Sequence, residues 1–272
     1  MNYRHAFHAG NFADCMKHAV LVWLLRAIAR KDKGFMVLDT HAGTGRYDLT
    51  AVPAERTGEW RAGIGRLLGN AAPELADYLG LVGALGLYPG SPVLVRALLR
   101  PQDRLVCCEL HPEDFALLRR EFRGDGQVAV HHRDAWEAIA AFLPPPERRG
   151  LTLIDPPYEA ADEFARVVEA IALAGRRFAT GVVVAWYPVK SRAQVRALHD
   201  SVRTAGVRDV VAVELWLRAP LDAARLNGCG LVVVNPPFGF EDAMAALLPA
   251  LLAGLGMDEA GEGVMMTRLS HE

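Results

Sequence analysis

Cysteine is scarce in this chain. The four residues, Cys15, Cys107, Cys108 and Cys229, include no CxxC pair, so neither a disulfide framework nor a zinc site is expected. Cys107 and Cys108 are neighbours within a strand-like run, which points their side chains to opposite faces. Strong charge of either sign is also missing. A net charge of −2 gives no overall basic field, so any nucleic-acid surface must be local, with Arg119–Arg120–Arg123, Arg148–Arg149 and Arg176–Arg177 as candidates. The longest early apolar run, from Ala19 to Leu25, stops at Arg26 and is too short to span a bilayer. The opening MNYRHAFHAGN lacks the basic-then-apolar layout of a secretion signal. A cytoplasmic protein without membrane contact is expected. No repeat or low-complexity segment is visible.

What is present is a 51% hydrophobic composition with 23% charged residues, enough for a sizeable core. Seven strand-like runs recur: FMVLD (35–39), RLVCCEL (104–110), VAVHH (128–132), LTLID (151–155), GVVVAWY (181–187), DVVAVELWL (209–217) and GLVVVN (230–235). Helical patterns separate most of them, which predicts an α/β fold with a mostly parallel seven-stranded sheet covered on both faces. Only about ten residues separate the last two runs, so they are expected to form an antiparallel hairpin. The closing GVMMTRLS can add an edge strand. Residues 46–90 contain no clear strand and read as an inserted helical subdomain within a single domain spanning 1–272. Asn11 is placed to cap a helix from about residue 12 to 30, with Asp14 as a capping-box-like partner. Ser91–Pro92 reads as an N-cap followed by proline at the first position of a further helix.

Several strand ends carry chemistry. The first leads into Asp39-Thr-His41-Ala-Gly43-Thr-Gly45, a glycine turn that lets a nucleotide-like ligand approach the backbone. A dinucleotide motif is incomplete, because Asp48 stands where the third glycine would be. Glu109 ends the second strand, where a carboxylate can accept two hydrogen bonds from a ribose diol. Asp134 and Ala135 follow the third strand, in the place of adenine-ring contacts. Each acid taken alone is equally compatible with a helix cap.

The fourth strand runs into Asp155-Pro156-Pro157-Tyr158. The exocyclic nitrogen of adenine is a poor nucleophile, because its lone pair is delocalised into the ring. The Asp155 carboxylate and the Pro156 carbonyl can each accept one of its N–H bonds and favour a localised lone pair. The prolines fix the turn, and Tyr158 can stack on the base. Asn235-Pro236-Pro237-Phe238 carries the same groups, but on the antiparallel strand. It is therefore expected at the opposite sheet edge, as a turn that packs Phe238 or Phe240 into the core.

On the first helix Lys17 lines up with Val20, Leu21, Leu24 and Ile28. There it either reaches a cleft or an anion, or snorkels to solvent at the helix end. His5-x-x-His8 is half a metal site with no second half, so no metal is expected.

Together these segments resemble the large-subunit ribosomal RNA methyltransferase J family. The resemblance runs through YRHAFHAGNFADCMKH, LDTHAGTGRY, YPGSP, CELHP, RRGLTLIDPPYE and RRFATGVVVAWYP. It implies a Rossmann-like class I methyltransferase fold that uses S-adenosyl-L-methionine to methylate N6 of an adenine in 23S rRNA. It also implies a cofactor site lined by His18, His41, Gly43, Ser91, Glu109, Asp134, Ala135 and Asp155. Asp155 would be catalytic with Pro156 and Tyr158, and Tyr3, His5 and Lys17 would form a lid within residues 1–30. A monomer is expected. Ala135 and Phe238 depart from the residues usual in the family, Gly and Trp. The D-P-P-Y motif alone also suits an rRNA guanine-N2 or DNA adenine-N6 methyltransferase, and a vestigial pocket would suit a non-catalytic rRNA-binding assembly factor.

Overall fold

A computed structural model describes residues 4–271. Its main sheet is built from β1 (Met36–Asp39), β2 (Arg104–Glu109), β3 (Val128–His132), β4 (Gly150–Ile154), β5 (Val182–Val189), β6 (Val210–Trp216), β7 (Gly228–Val234) and β8 (Gly263–Ser270). The spatial order is β8-β6-β7-β5-β4-β1-β2-β3. Pairings from β3 to β5 are parallel, whereas β7 runs antiparallel to both β5 and β6, and β8 antiparallel to β6. The α/β fold and the late hairpin agree with the sequence. The sheet has eight strands rather than seven, because the closing GVMMTRLS does add the edge strand that the sequence allowed. The reason is that β6 would otherwise present a bare row of N–H and C=O groups. The closing segment pairs with it from Gly263 to Ser270, and Val264 and Met266 pack onto the core.

Alternation along the strands divides the core into two layers. Cys107 lies in the layer with α1 (Phe12–Ala29), α2 (Ser91–Leu98) and α7 (Phe240–Leu255). Cys108 lies in the layer with α4 (Ala135–Phe142), α5 (Glu163–Arg177) and α6 (Arg192–Thr204). A further helix, α3 (Pro112–Glu121), covers β2 and β3. Residues 46–90 hold four short α-helices and a 3-10 turn, and at their base Arg46–Tyr47 pairs with Tyr88–Pro89.

Helix α1 has apolar side chains nearly all round and is buried nearly all round, among α2, α7 and β7. The Asn11 side chain caps it by accepting the Asp14 N–H at 3.0 Å. Asp14 does not complete a capping box, because its carboxylate accepts the Gly10 N–H instead, at 3.0 Å.

Strand direction separates the two look-alike motifs. Ile154 pairs with Ala185, so Asp155 leaves the sheet level with Trp186. Val234 pairs with Val183 and Val210, so Asn235 emerges near the start of β5 and β6. At ~3.3 Å per residue the two motifs lie roughly 13 Å apart along the strand direction. Their backbones differ as well. The left-handed residue is Tyr158 (φ 54°) in one and Asn235 (φ 50°) in the other. The Asn235 side-chain amide donates to the carbonyls of Ala179 (2.9 Å) and Gly181 (2.7 Å). Phe240 is buried against Trp23, whereas Phe238 is 97% exposed, so only the first of these aromatics joins the core.

Asn235 thus acts as a turn residue. Asn235→Ala removes both side-chain hydrogen bonds at a left-handed position, and an unfolding free energy lower by about 1–3 kcal/mol is expected in urea titrations. An unchanged midpoint would contradict this role.

Candidate active site

Beyond the carboxyl ends of β1–β5 lies a cleft of about 760 Å³. The loop after β1 forms its floor. Asp39 is fully buried and its carboxylate accepts from the Ser91 hydroxyl (2.6 Å) and the His41 N–H (3.3 Å). Burial raises its pKa to about 6. Ser91 therefore does not cap α2, whose N-cap is Gly90; its hydroxyl is committed to Asp39 instead. Gly43 has φ 62°, and a Cβ there would fall 2.2 Å from the Tyr47 hydroxyl, so only glycine fits without rearrangement.

Glu109 is buried and braces the glycine turn. One oxygen accepts the Gly43 N–H at 2.9 Å, the other the His111 N–H at 2.7 Å. Burial raises its pKa, and the backbone donors pull it partly back. Asp134 caps α4 through Oδ1, accepting from Trp136 (2.9 Å) and Glu137 (3.3 Å), which places Ala135 at the first helical position beside the cleft.

Two histidines line the same space. His18 is buried in α1, with Nδ1 3.1 Å from the Tyr88 hydroxyl and Nε2 without a partner among the described residues. His41 Nδ1 lies 2.8 Å from the Thr40 hydroxyl and accepts the Asp155 N–H at 3.3 Å. Burial lowers the pKa of His18 to about 3 and that of His41 to about 4, so both are neutral at physiological pH.

The Asp155-Pro156-Pro157-Tyr158 turn forms the next wall. Tyr158 packs between Phe164 and Trp186, and its hydroxyl donates to the Trp186 carbonyl at 2.7 Å. Lys17 does not snorkel. It is 5% exposed, and its ammonium bridges Asp14 Oδ1 (2.9 Å) and Asp155 Oδ2 (2.5 Å). Burial alone would lower its pKa, but Asp14 and then Asp155 outweigh that and raise it well above the ordinary lysine value. For Asp14, burial pushes the pKa upward, yet His5 and Lys17 beside it hold it well below the usual range. Asp155 Oδ1 and the Pro156 carbonyl accept no hydrogen bond from the described residues, and the Asp155 side chain is 17% exposed to the cleft.

The amino-terminal segment crosses the same edge. His5 Nε2 is 2.9 Å from Asp14 Oδ2, and Arg4 pairs with Glu113 and Asp114 of α3. His8 turns instead to Glu59 at 2.9 Å, so the two histidines engage different carboxylates. Tyr3 lies outside the described residues. None of the three arginine clusters picked out in the sequence lines the cleft. Asp14 and Asp39 gave little sign of their importance in the sequence. The available signals were an acid three residues before Lys17 on a buried helix, and an acid closing the first strand.

This sheet order, with a glycine turn after β1 and a D-P-P-Y motif after β4, defines a Rossmann-like methyltransferase of class I. Residues 32–266 match a family described as "Ribosomal RNA large subunit methyltransferase D, RlmJ". The chain is 43% identical over 259 residues to the ribosomal RNA large subunit methyltransferase J of Escherichia coli (strain K12), covering 92% of each chain. It is 42% identical over 270 residues to the protein of that name from Haemophilus influenzae (strain ATCC 51907 / DSM 11121 / KW20 / Rd), covering 96% of each. A crystal structure from Legionella pneumophila str. Philadelphia 1 superimposes with a TM-score of 0.87 at 35% identity, covering 96% of this chain and 98% of that one. The chain belongs to the RlmJ family of large-subunit ribosomal RNA methyltransferases.

Lys17→Met leaves Asp14 buried with fewer cations around it. The expected loss of stability is about 3–5 kcal/mol at pH 7. Asp14 has a depressed pKa, so its contribution is present above the ordinary carboxylate range and is lost as pH falls through the lowered value. In the variant that pKa rises, and protonation relieves the unpaired charge earlier. The difference from wild type in urea unfolding should therefore shrink between pH 7 and pH 4.5. An equal loss at both pH values would contradict the ion network.

Proposed function

We propose that this chain transfers a methyl group from S-adenosyl-L-methionine to the exocyclic N6 of an adenine in 23S rRNA. The observation that carries the reading is the pair of open acceptors, Asp155 Oδ1 and the Pro156 carbonyl, in a cleft next to a half-buried tyrosine. Two acceptors fixed on one turn match the two N–H bonds of an amino group.

The residues present fit the cofactor. The cleft volume lies in the ordinary range for a bound small molecule. The unpartnered His18 Nε2 is a buried polar atom that calls for a partner, and the cofactor's polar groups can supply one. His18, His41, Gly43, Ser91, Glu109, Asp134, Ala135 and Asp155 would hold it. When bound, S-adenosyl-L-methionine supplies an activated sulfonium methyl.

The chain's own contribution is positioning and charge. Lys17 fixes Asp155 Oδ2, which leaves Oδ1 to accept from the amino group. The rigid proline turn sets the Pro156 carbonyl as the second acceptor. Tyr158, held by Phe164 and Trp186, offers a ring for the base to stack on, worth roughly 1–3 kcal/mol. Asp155 can take up the amino proton as transfer completes. The segment carrying Tyr3 and His5, with Lys17 beneath it, would close over the reacting groups as a lid. Residues 46–90 would act as an inserted helical subdomain.

All groups used come from one chain, so a monomer suffices, and the reading calls on no metal ion. No helix of the described residues is long and apolar enough to cross a membrane. A cytoplasmic location is part of this reading, because it is where an rRNA substrate would be met.

Asp155→Ala is expected to reduce label transfer from S-adenosyl-L-methionine into large-subunit rRNA by roughly 10²–10⁴-fold. Asn235→Ala should retain near wild-type turnover in the folded protein. Equal losses in the two variants, or full activity in Asp155→Ala, would overturn the assignment.

A further inference from the structure

Acidic side chains outnumber basic ones among those lining the cleft, which is the wrong sign for a polyanion. The basic side chains there are Lys17, Arg166, Lys190 and Arg218. Lys17 is neutralised between Asp14 and Asp155. Arg218 is also committed: it pairs with both oxygens of Glu259, each at 2.8 Å, and donates to the Leu226 carbonyl at 3.1 Å. Arg166 and Lys190 have no carboxylate partner within 4.0 Å among the described residues.

Both are held in place without being neutralised. Arg166 lies in the second turn of α5 and is exposed, with its guanidinium 5.0 Å over the Trp136 ring at the start of α4. That stacking orients the group and leaves its N–H edge available. Lys190 directly follows β5 and is half-buried. Its carbonyl accepts the buried Asn227 amide at 3.0 Å, which fixes the backbone while the ammonium has no partner among the described residues. Both line the same cleft as the Asp155–Tyr158 turn, Arg166 from α5 where it stacks against α4, and Lys190 from the end of β5, the strand beside β4.

We propose that Arg166 and Lys190 hold the phosphodiesters on either side of the target nucleotide. The carboxylate-lined interior then admits the uncharged base while the sugar–phosphate backbone stays at the rim. The assignment rests on the rRNA reading above and adds the two residues that seat the strand.

The test measures binding of a protein-free large-subunit rRNA transcript to the full chain loaded with S-adenosylhomocysteine, across a series of KCl concentrations. Arg166→Gln and Lys190→Ala should each weaken binding and flatten the slope of log Kd against log [KCl] by about 0.7–1, and the double variant by about twice that. Arg166→Lys should keep the slope. Arg196→Ala, exposed on α6 and away from the cleft, should match wild type. Turnover at saturating RNA and affinity for S-adenosylhomocysteine should stay within about twofold, because a phosphate contact that only seats the strand acts through uniform binding. Wild-type slopes in both single variants overturn the assignment, as does a loss of S-adenosylhomocysteine affinity with an unchanged slope. If wild type itself neither binds nor methylates the transcript, the rRNA reading falls first. If wild type methylates it and the slopes do not move, only the phosphate assignment falls.

Discussion

The Lys17 ammonium joins two carboxylates that lie far apart in the chain, Asp14 one turn earlier on α1 and Asp155 at the end of β4. A buried lysine is tolerable only when its charge is matched and its donors are used. That condition fixes the rotation of α1 about its axis. It also locks one oxygen of the catalytic candidate and brings His5 against Asp14 at the mouth of the cleft. The glycine turn, Glu109 and the Asp39–Ser91 pair build the adjoining half of the site from short, mostly local hydrogen bonds. The junction between the two halves depends on this one cation.

The two D-P-P-Y-like motifs show how a fold assigns different work to one local pattern. Each places four similar residues at a strand end. The antiparallel course of β7 delivers Asn235 to the edge where β5 and β6 begin, and there its amide is consumed by the Ala179 and Gly181 carbonyls. Asp155 leaves a parallel strand at the cleft edge, and one of its oxygens stays open. The difference lies in strand direction and in which residue adopts the left-handed conformation.

Strand positions, the hairpin and the residues around Glu109 and Asp155 were legible in the sequence, because they rest on apolar runs and on motifs placed at strand ends. The eighth strand was less so, since its need arises only once β6 is seen to be an edge. The partner of Lys17 was out of reach, because the pairing spans 138 residues and burial on α1 said only that some partner must exist. Serine before proline suits a helix cap, and nothing local at Ser91 signals otherwise. Its true partner, Asp39, comes from another strand end. The arginine clusters drew notice by adjacency, whereas Arg166 and Lys190 stand alone in sequence and gain meaning only from the cleft.

The most direct measurement is nucleoside analysis of large-subunit rRNA after incubation with the enzyme and methyl-labelled S-adenosyl-L-methionine. Paired acceptors on Asp155 and Pro156, with a tyrosine beneath the base, predict that the label appears in N6-methyladenosine and vanishes with Asp155→Ala. Label found only in N2-methylguanosine would contradict the assignment of adenine to this site.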